Sequence, residues 1–362
     1  MLRRRCSSIS FFAESSIRTI NLTFTAMLLR FILFLILGAL LPAQAKTIFL
    51  NNASSLRDET HFPKLSSAYD ACNSGDTIRI EGTSASGALM PYTGADDLFV
   101  INKKIHLIGP GISANAKKAL FASLYLGTGA DQTLIEGCEI EKIAFMVSQH
   151  ISVITLRSCV LGSMDFSDIS NAKLSNLLVF NCLITGSIDF AEKGANLIDC
   201  IFKNNLVLQG VFKNNGNESR QLFFLNNNFV GGQTFSEMHN ILCSNNLFLH
   251  IKMDGCSNST FNNNLLSNCG KAEFPYGSNT GHSNRQLDNP GFAKMPDAKI
   301  NLEEALVFPW KMKSGSEASG AATDGGDIGL RGMPCAATNT SEEKISAPTP
   351  AEAPKKMKSF DK

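Results

Sequence analysis

The sequence predicts an all-β fold: one right-handed parallel β-helix with coils of about 18–27 residues, led by a short capping helix. Three observations predict it. A frame of the type x-Cys-x-apolar or x-Asn-x-apolar recurs along the middle of the chain. Between its copies, apolar residues alternate with period two and are interrupted by Asn, Gly or Ser, which is strand and turn chemistry. Asparagine is also concentrated there, with 23 of the 31 residues falling between Asn171 and Asn289. The balance of 33 basic against 32 acidic residues gives a net charge of +1 and supplies no field for nucleic acid. A hydrophobic share of 44% excludes wholesale disorder.

In chain order, residues 1–26 read as an upstream extension carrying Arg3, Arg4, Arg5 and Arg18, in front of a start at Met27. Residues 27–45 read as a signal peptide: Arg30, the apolar run Phe31–Leu41, then Ala43-Gln44-Ala45. Eleven apolar residues span roughly 16 Å as a helix, too short for a bilayer. The expectation is a protein that is secreted or held in the periplasm or at the cell surface, cleaved near Ala45, with no membrane span in the mature chain. Residues 46–118 hold the N-terminal cap and first coils. There, Leu65, Ala68, Tyr69 and Cys72 recur at helical spacing before Gly75. Strand-like Thr77–Ile80 and Lys104–Gly109 follow.

Residues 119–270 form the regular coils. The key position of the frame is read at Cys138, Cys159, Cys182, Cys200, Asn227, Asn246 and Asn264. A second register is read in apolar-x-apolar triplets at Ile143–Phe145, Met164–Phe166, Ile188–Phe190, Leu206–Leu208 and Ile251–Met253. Stacked Asn side chains can hydrogen-bond along such a ladder, and Cys at the same point is a small buried hydrophobe. The four cysteines therefore read as a core ladder, since zinc-type C-x2-C spacings are missing. Ten cysteines are present, nine of them beyond Ala45, so at least one thiol stays unpaired. Residues 271–333 read as a C-terminal closing segment, and 334–362, rich in Pro, Ala, Ser and Lys, as a disordered tail.

The run Ser66–Ile78 followed by Ile101–Gly111 resembles the start of secreted bacterial right-handed parallel β-helix proteins of the pectate-lyase-like superfamily. Asp288–Phe292, Phe308–Ser316 and Thr323–Gly329 resemble the close of such chains, with Glu317 in place of the usual Pro and Gly291 in place of a larger residue. The likeness covers roughly residues 46–332. It implies the β-helix fold, and it leaves function open among lyases, hydrolases, adhesins and members of no known activity.

For chemistry, the near-copies Gly162–Asp168 and Gly186–Glu192 place Asp165 and Asp189 on the outside of neighbouring coils, about 5 Å apart. Two carboxylates so close repel unless one is protonated or a cation intervenes. That makes them candidate binding residues, candidate ligands for a calcium ion, or an acid–base pair; the plainer reading is two solvated side chains. Gly281-His282-Ser283 lacks the second glycine of a hydrolase motif. Arg157 has no evident carboxylate partner and reads as surface, and Trp310 as packing. The preferred reading is a monomeric, non-catalytic module that binds a polysaccharide or cell-surface glycan. The alternative is a polysaccharide lyase or glycoside hydrolase, whose Arg/Lys–carboxylate or clustered-Asp motifs are not recognisable here.

Overall fold

The computed structural model describes residues 45–52, 58–82, 91–94, 97–112, 117–169, 172–190, 196–213, 222–253, 255–270 and 274–330. The upstream extension, the signal segment up to residue 44 and the tail beyond residue 333 lie outside them. The described chain is a parallel β-solenoid. Its strands pair across coils rather than along the chain, in a 12-stranded sheet, a 14-stranded sheet and two small sheets of three and two strands. Every pairing between strands is parallel, as Thr155–Arg157 on Leu178–Phe180 and on through Cys200–Lys203 and Leu222–Leu225. Among the described residues, no helix is long and apolar enough to cross a membrane.

The capping helix forms where the spacing puts it, over Leu65–Asp70, burying Leu65, Ala68 and Tyr69. Cys72 is buried beyond it. Lys103 fastens the helix end, donating to the carbonyls of Tyr69 and Cys72 at 2.7 Å each while lying over the Tyr69 ring. Thr77–Ile80 and His106–Ile108 are strands of the 12-stranded sheet.

Each coil turns from the 12-stranded to the 14-stranded sheet through two residues. The first is left-handed: φ is between 51° and 59° at Ser158, Asn181, Asn204, Asn226, Asn245, Asn263 and Ser283. Asn tolerates this backbone better than other side-chain-bearing residues, which explains half of the Asn-Asn doublets. The second residue points inward and builds the ladder: Cys138, Cys159, Cys182, Asn205, Asn227, Asn246, Asn264 and Asn284. Each ladder Asn accepts, through Oδ1, the backbone N–H of its counterpart one coil earlier. Asn205 N to Asn227 Oδ1 is 2.9 Å, and Asn227 N to Asn246 and Asn246 N to Asn264 repeat it at 2.9 Å. The Nδ2 group donates to a strand carbonyl of the earlier coil, Asn227 to Phe202 O at 2.9 Å and Asn246 to Phe224 O at 2.8 Å. The carboxamides of the ladder are thereby satisfied.

This geometry corrects the ladder read from sequence. Cys200 is not on it; the residue of that coil is Asn205, whose Oδ1 accepts from Cys182 N at 2.8 Å. Cys200 instead opens a strand of the 12-stranded sheet, opposite Leu222, at another corner. With Asn205 in place, ladder steps from Cys159 to Asn284 run from 18 to 23 residues. The apparent 18- and 27-residue steps around Cys200 came from confusing two corners. The second register also needs correction. Ile143, Met164, Ile188 and Phe212 are in line, followed by Phe235 and Met253. Leu206–Leu208 belongs to the preceding strand, in line with Leu183.

The interior is phenylalanine. The eleven largest fully buried side chains are all Phe, among them Phe145, Phe166 and Phe190, stacked at 4.4 and 5.3 Å between ring centroids. Such an interior offers few partners for a hydroxyl or an indole N–H, and none of its largest fully buried side chains is Tyr or Trp.

Within the segment read as a closure, residues 292–330 pack along a side of the stack. Phe292, Ile300, Trp310, Met312, Ile328 and Leu330 form a second apolar cluster with Leu206, Leu208, Val230, Leu247, Leu249 and Leu265 on the outside of the 14-stranded sheet. Its backbone is tied there by Thr323 N to Asn245 Oδ1 at 3.1 Å and Leu330 N to Asn228 Oδ1 at 2.8 Å. Trp310 is packing, as expected, with Nε1 donating to Ala305 O at 2.9 Å.

Candidate functional site

Asp165 and Asp189 lie directly opposite each other in the 14-stranded sheet. Ahead of them Gly162, within the strand Val160–Asp165, and Gly186, at a bend, each sit where an added Cβ would collide with a carbonyl of the adjacent coil. The compensation two such carboxylates require is supplied by lysines. Lys142 Nζ is 3.5 Å from Asp165 Oδ2 and Lys213 Nζ is 3.4 Å from Asp189 Oδ2. Lys213 occupies the next outward position of the same column. Burial raises the Asp165 pKa, but the Ser167 hydroxyl and N–H and the Lys142 ammonium outweigh it and hold the carboxyl below its ordinary value. Calcium takes six to eight oxygens. Here two carboxylates each face an ammonium, and among the described residues no group of three or more His, Cys, Asp or Glu gathers that could hold a metal. The pair does not by itself make a calcium cage.

Arg157 has a partner that sequence reading overlooked: Glu136 of the preceding coil, in the same outward column and bonded to its guanidinium. The two are 21 residues apart, one coil length, so they become neighbours once register is known. His282 lies exposed on the last strand of the 12-stranded sheet, its Nδ1 3.2 Å from Ser283 Oγ.

The surface that sequence reading missed is the outer face of the 12-stranded sheet. Leu178, Ile201, Phe223 and Leu242 follow one another in register. The column beside them brings Phe180, Lys203 and Leu225. The six apolar side chains of this group are half-buried and Lys203 is exposed. At the strand spacing of about 4.8 Å the four coils give an apolar row roughly 14 Å long. It is bordered by Thr155 and the Arg157–Glu136 pair on one side and by Ser244, Thr260 and Asn262 on the other. Alternation along the strand is the signal that could have found it, because inner residues such as Val179, Phe202 and Phe224 leave their neighbours facing out.

A cleft of about 430 Å³ opens beside the capping helix, lined by Lys64, Tyr92, Asp97, Leu98 and Phe99 among others. A smaller one adjoins it, where His61 Nδ1 is 2.9 Å from Asp58 Oδ2. The Thr60 N–H, then His61, hold the Asp58 carboxyl far below its usual range, and the same bonds tie the turn together.

All eight cysteines among the described residues are buried, and none of them forms a disulfide. Burial raises the Cys72 thiol to about 11 and the Cys138 and Cys243 thiols well above their ordinary value, which suits these three to packing rather than to nucleophilic attack. No protein-family model matches the chain, and no curated protein matches it.

Proposed function

We propose that this chain is an exported, non-catalytic β-helix module of pectate-lyase-like type that binds an elongated glycan along the outer face of its 12-stranded sheet. One observation carries the reading: the row of Leu178, Phe180, Ile201, Phe223, Leu225 and Leu242 on a flat, regular face with polar groups at its borders. Apolar rings with hydrogen-bonding groups around them suit sugar rings, which present C–H faces and hydroxyl edges. The face is long in the coil direction, so an extended chain is a better fit than a monosaccharide. The signal-like segment in front of residue 46 supports a destination where such glycans are met.

The second reading, a lyase or hydrolase, draws on the column Asp165–Asp189–Lys213, with Lys142 reaching Asp165 from beside it. One experiment separates the two. The purified chain is titrated with a panel of polyuronates and neutral glycans, following binding together with unsaturated-product absorbance and reducing ends. Binding without turnover is expected, weakened roughly three- to tenfold in Phe223→Ala, the worth of one aromatic contact. Turnover that disappears in Asp165→Asn would replace this reading with the enzymatic one.

A further inference from the structure

The two ends of the coil stack are finished differently. At the N-terminal end the helix Leu65–Asp70 packs on the first strands and buries Leu65, Ala68 and Tyr69 against the core. At the other end the last strands of the two long sheets are Thr280–His282 and Arg285–Gln286. They pair on one side with Thr260–Asn262 and Leu265–Leu266. Among the described residues, no strand pairs with their other side.

The backbone shows which groups face outward. Thr280 N, Arg285 N and Leu287 N donate back into the stack at 2.8, 2.9 and 2.9 Å. By strand alternation, Gly281 and Gln286 therefore turn their N–H and C=O groups away from it. Between the two strands the buried ladder stops at Asn284. Its side chain accepts from Asn264 N at 3.0 Å and donates to Phe261 O at 2.8 Å. Its backbone N–H is the donor that every earlier ladder residue from Cys182 onward sends to the next coil, and among the described residues the coil stack ends here. Thr280, Gly281, His282, Ser283 and Gln286 are all exposed. The described part of the C-terminal segment, which ends at residue 330, runs along the side of the stack to Asn228.

We propose that this end is an interface for a second copy of the chain, docked tail to tail about a twofold axis. An open strand edge is a template for another strand. The capping helix blocks the opposite end, so head-to-tail stacking into a filament is closed off. Twofold pairing of like ends forms a closed dimer with antiparallel edges. The charges permit it: Arg285 is compensated within its own chain by Glu317 at 3.8 Å, and Thr280, Ser283 and Gln286 are neutral. The inference is independent of the glycan reading, which concerns a lateral face.

The test is light scattering on the full chain across roughly 1–100 µM, a range that covers weak to moderate self-association, together with hydrogen exchange of residues 280–286. The expected result is a concentration-dependent rise to twice the chain mass, with amides 281 and 286 gaining protection as the dimer fills. The double variant Thr280→Lys/Gln286→Lys sets like charges across the axis on exposed side chains and should weaken association by roughly tenfold or more. Its circular dichroism should stay unchanged. A single-chain mass throughout with fast exchange at 281 and 286, or a dimer unaffected by the double variant, overturns the proposal.

Discussion

Three thiols and five carboxamides occupy one corner of the same coil stack, and the difference between the two halves shows what that corner asks of a side chain. In the Asn half, Asn227 makes four bonds. Its Oδ1 accepts from Asn205 N and Nδ2 at 2.9 and 3.0 Å, and its Nδ2 donates to Phe202 O and Asn246 Oδ1 at 2.9 and 3.0 Å. In the Cys half the same geometry is traced with a weaker group. Cys182 Sγ accepts from Cys159 N at 3.4 Å and donates toward Leu156 O at 3.5 Å, the counterpart of the Asn227–Phe202 bond. The corner requires a small group that both accepts from one backbone N–H and donates to one carbonyl. Asn does this fully, Cys in outline.

Three substitutions would break or sharpen that comparison. The largest effect is expected from Asn227→Ala, which strands the Asn205 N–H and the Phe202 carbonyl in a closed interior. Roughly 3–5 kcal/mol of stability should be lost, read as the midpoint shift in urea. A loss below about 1 kcal/mol would show that the ladder bonds are replaceable.

The next concerns the left-handed residues. At the corner entering the 12-stranded sheet these are Asn176, Asp199, Asn240 and Asn258, with φ from 50° to 56°, but one coil uses Val153 at 60°. A β-branched residue is poorly suited to that backbone. Val153 is also 42% exposed and contributes little to the core. Val153→Asn should raise stability by about 1 kcal/mol, measured by thermal melting. A decrease would mean that Val153 packing outweighs its backbone strain.

The smallest effect is expected from Cys182→Asn, which carries the carboxamide ladder one step into the thiol half. Asn can take over the bonds to Cys159 N and Leu156 O and also meet Asn205 Oδ1, so the change should stay within about 1 kcal/mol of neutral. A loss as large as that of Asn227→Ala would show that the two halves differ in backbone spacing as well as in side chain.

The parts legible in the sequence were those set by local chemistry. The capping helix at Leu65–Asp70 follows from four apolar residues at helical spacing, and the strand Thr77–Ile80 from alternation. The doublets Asn226-Asn227, Asn245-Asn246 and Asn263-Asn264 announced the corner. What failed was register. Cys200 resembled Cys182 in its immediate neighbours, yet it follows left-handed Asp199 at a different corner, while Asn204-Asn205 held the place. The pairing of Asp165 with Lys142 and of Arg157 with Glu136 was hidden for the same reason, since those partners are 23 and 21 residues apart.

Coil type, the capping helix and the Asn-rich corner were therefore settled by the order of residues alone, because φ preference, side-chain size and period-two alternation act over a few residues. The stacking partners were decided in three dimensions. Coil lengths vary from 18 to 23 residues across the ladder, so a shift of one or two residues selects which charges meet, which face stays apolar and bare, and which is covered. Val230, Leu247 and Leu265 face outward and are buried because the chain around Trp310 folds back over them. That return is a contact between distant segments, and no local pattern encodes it.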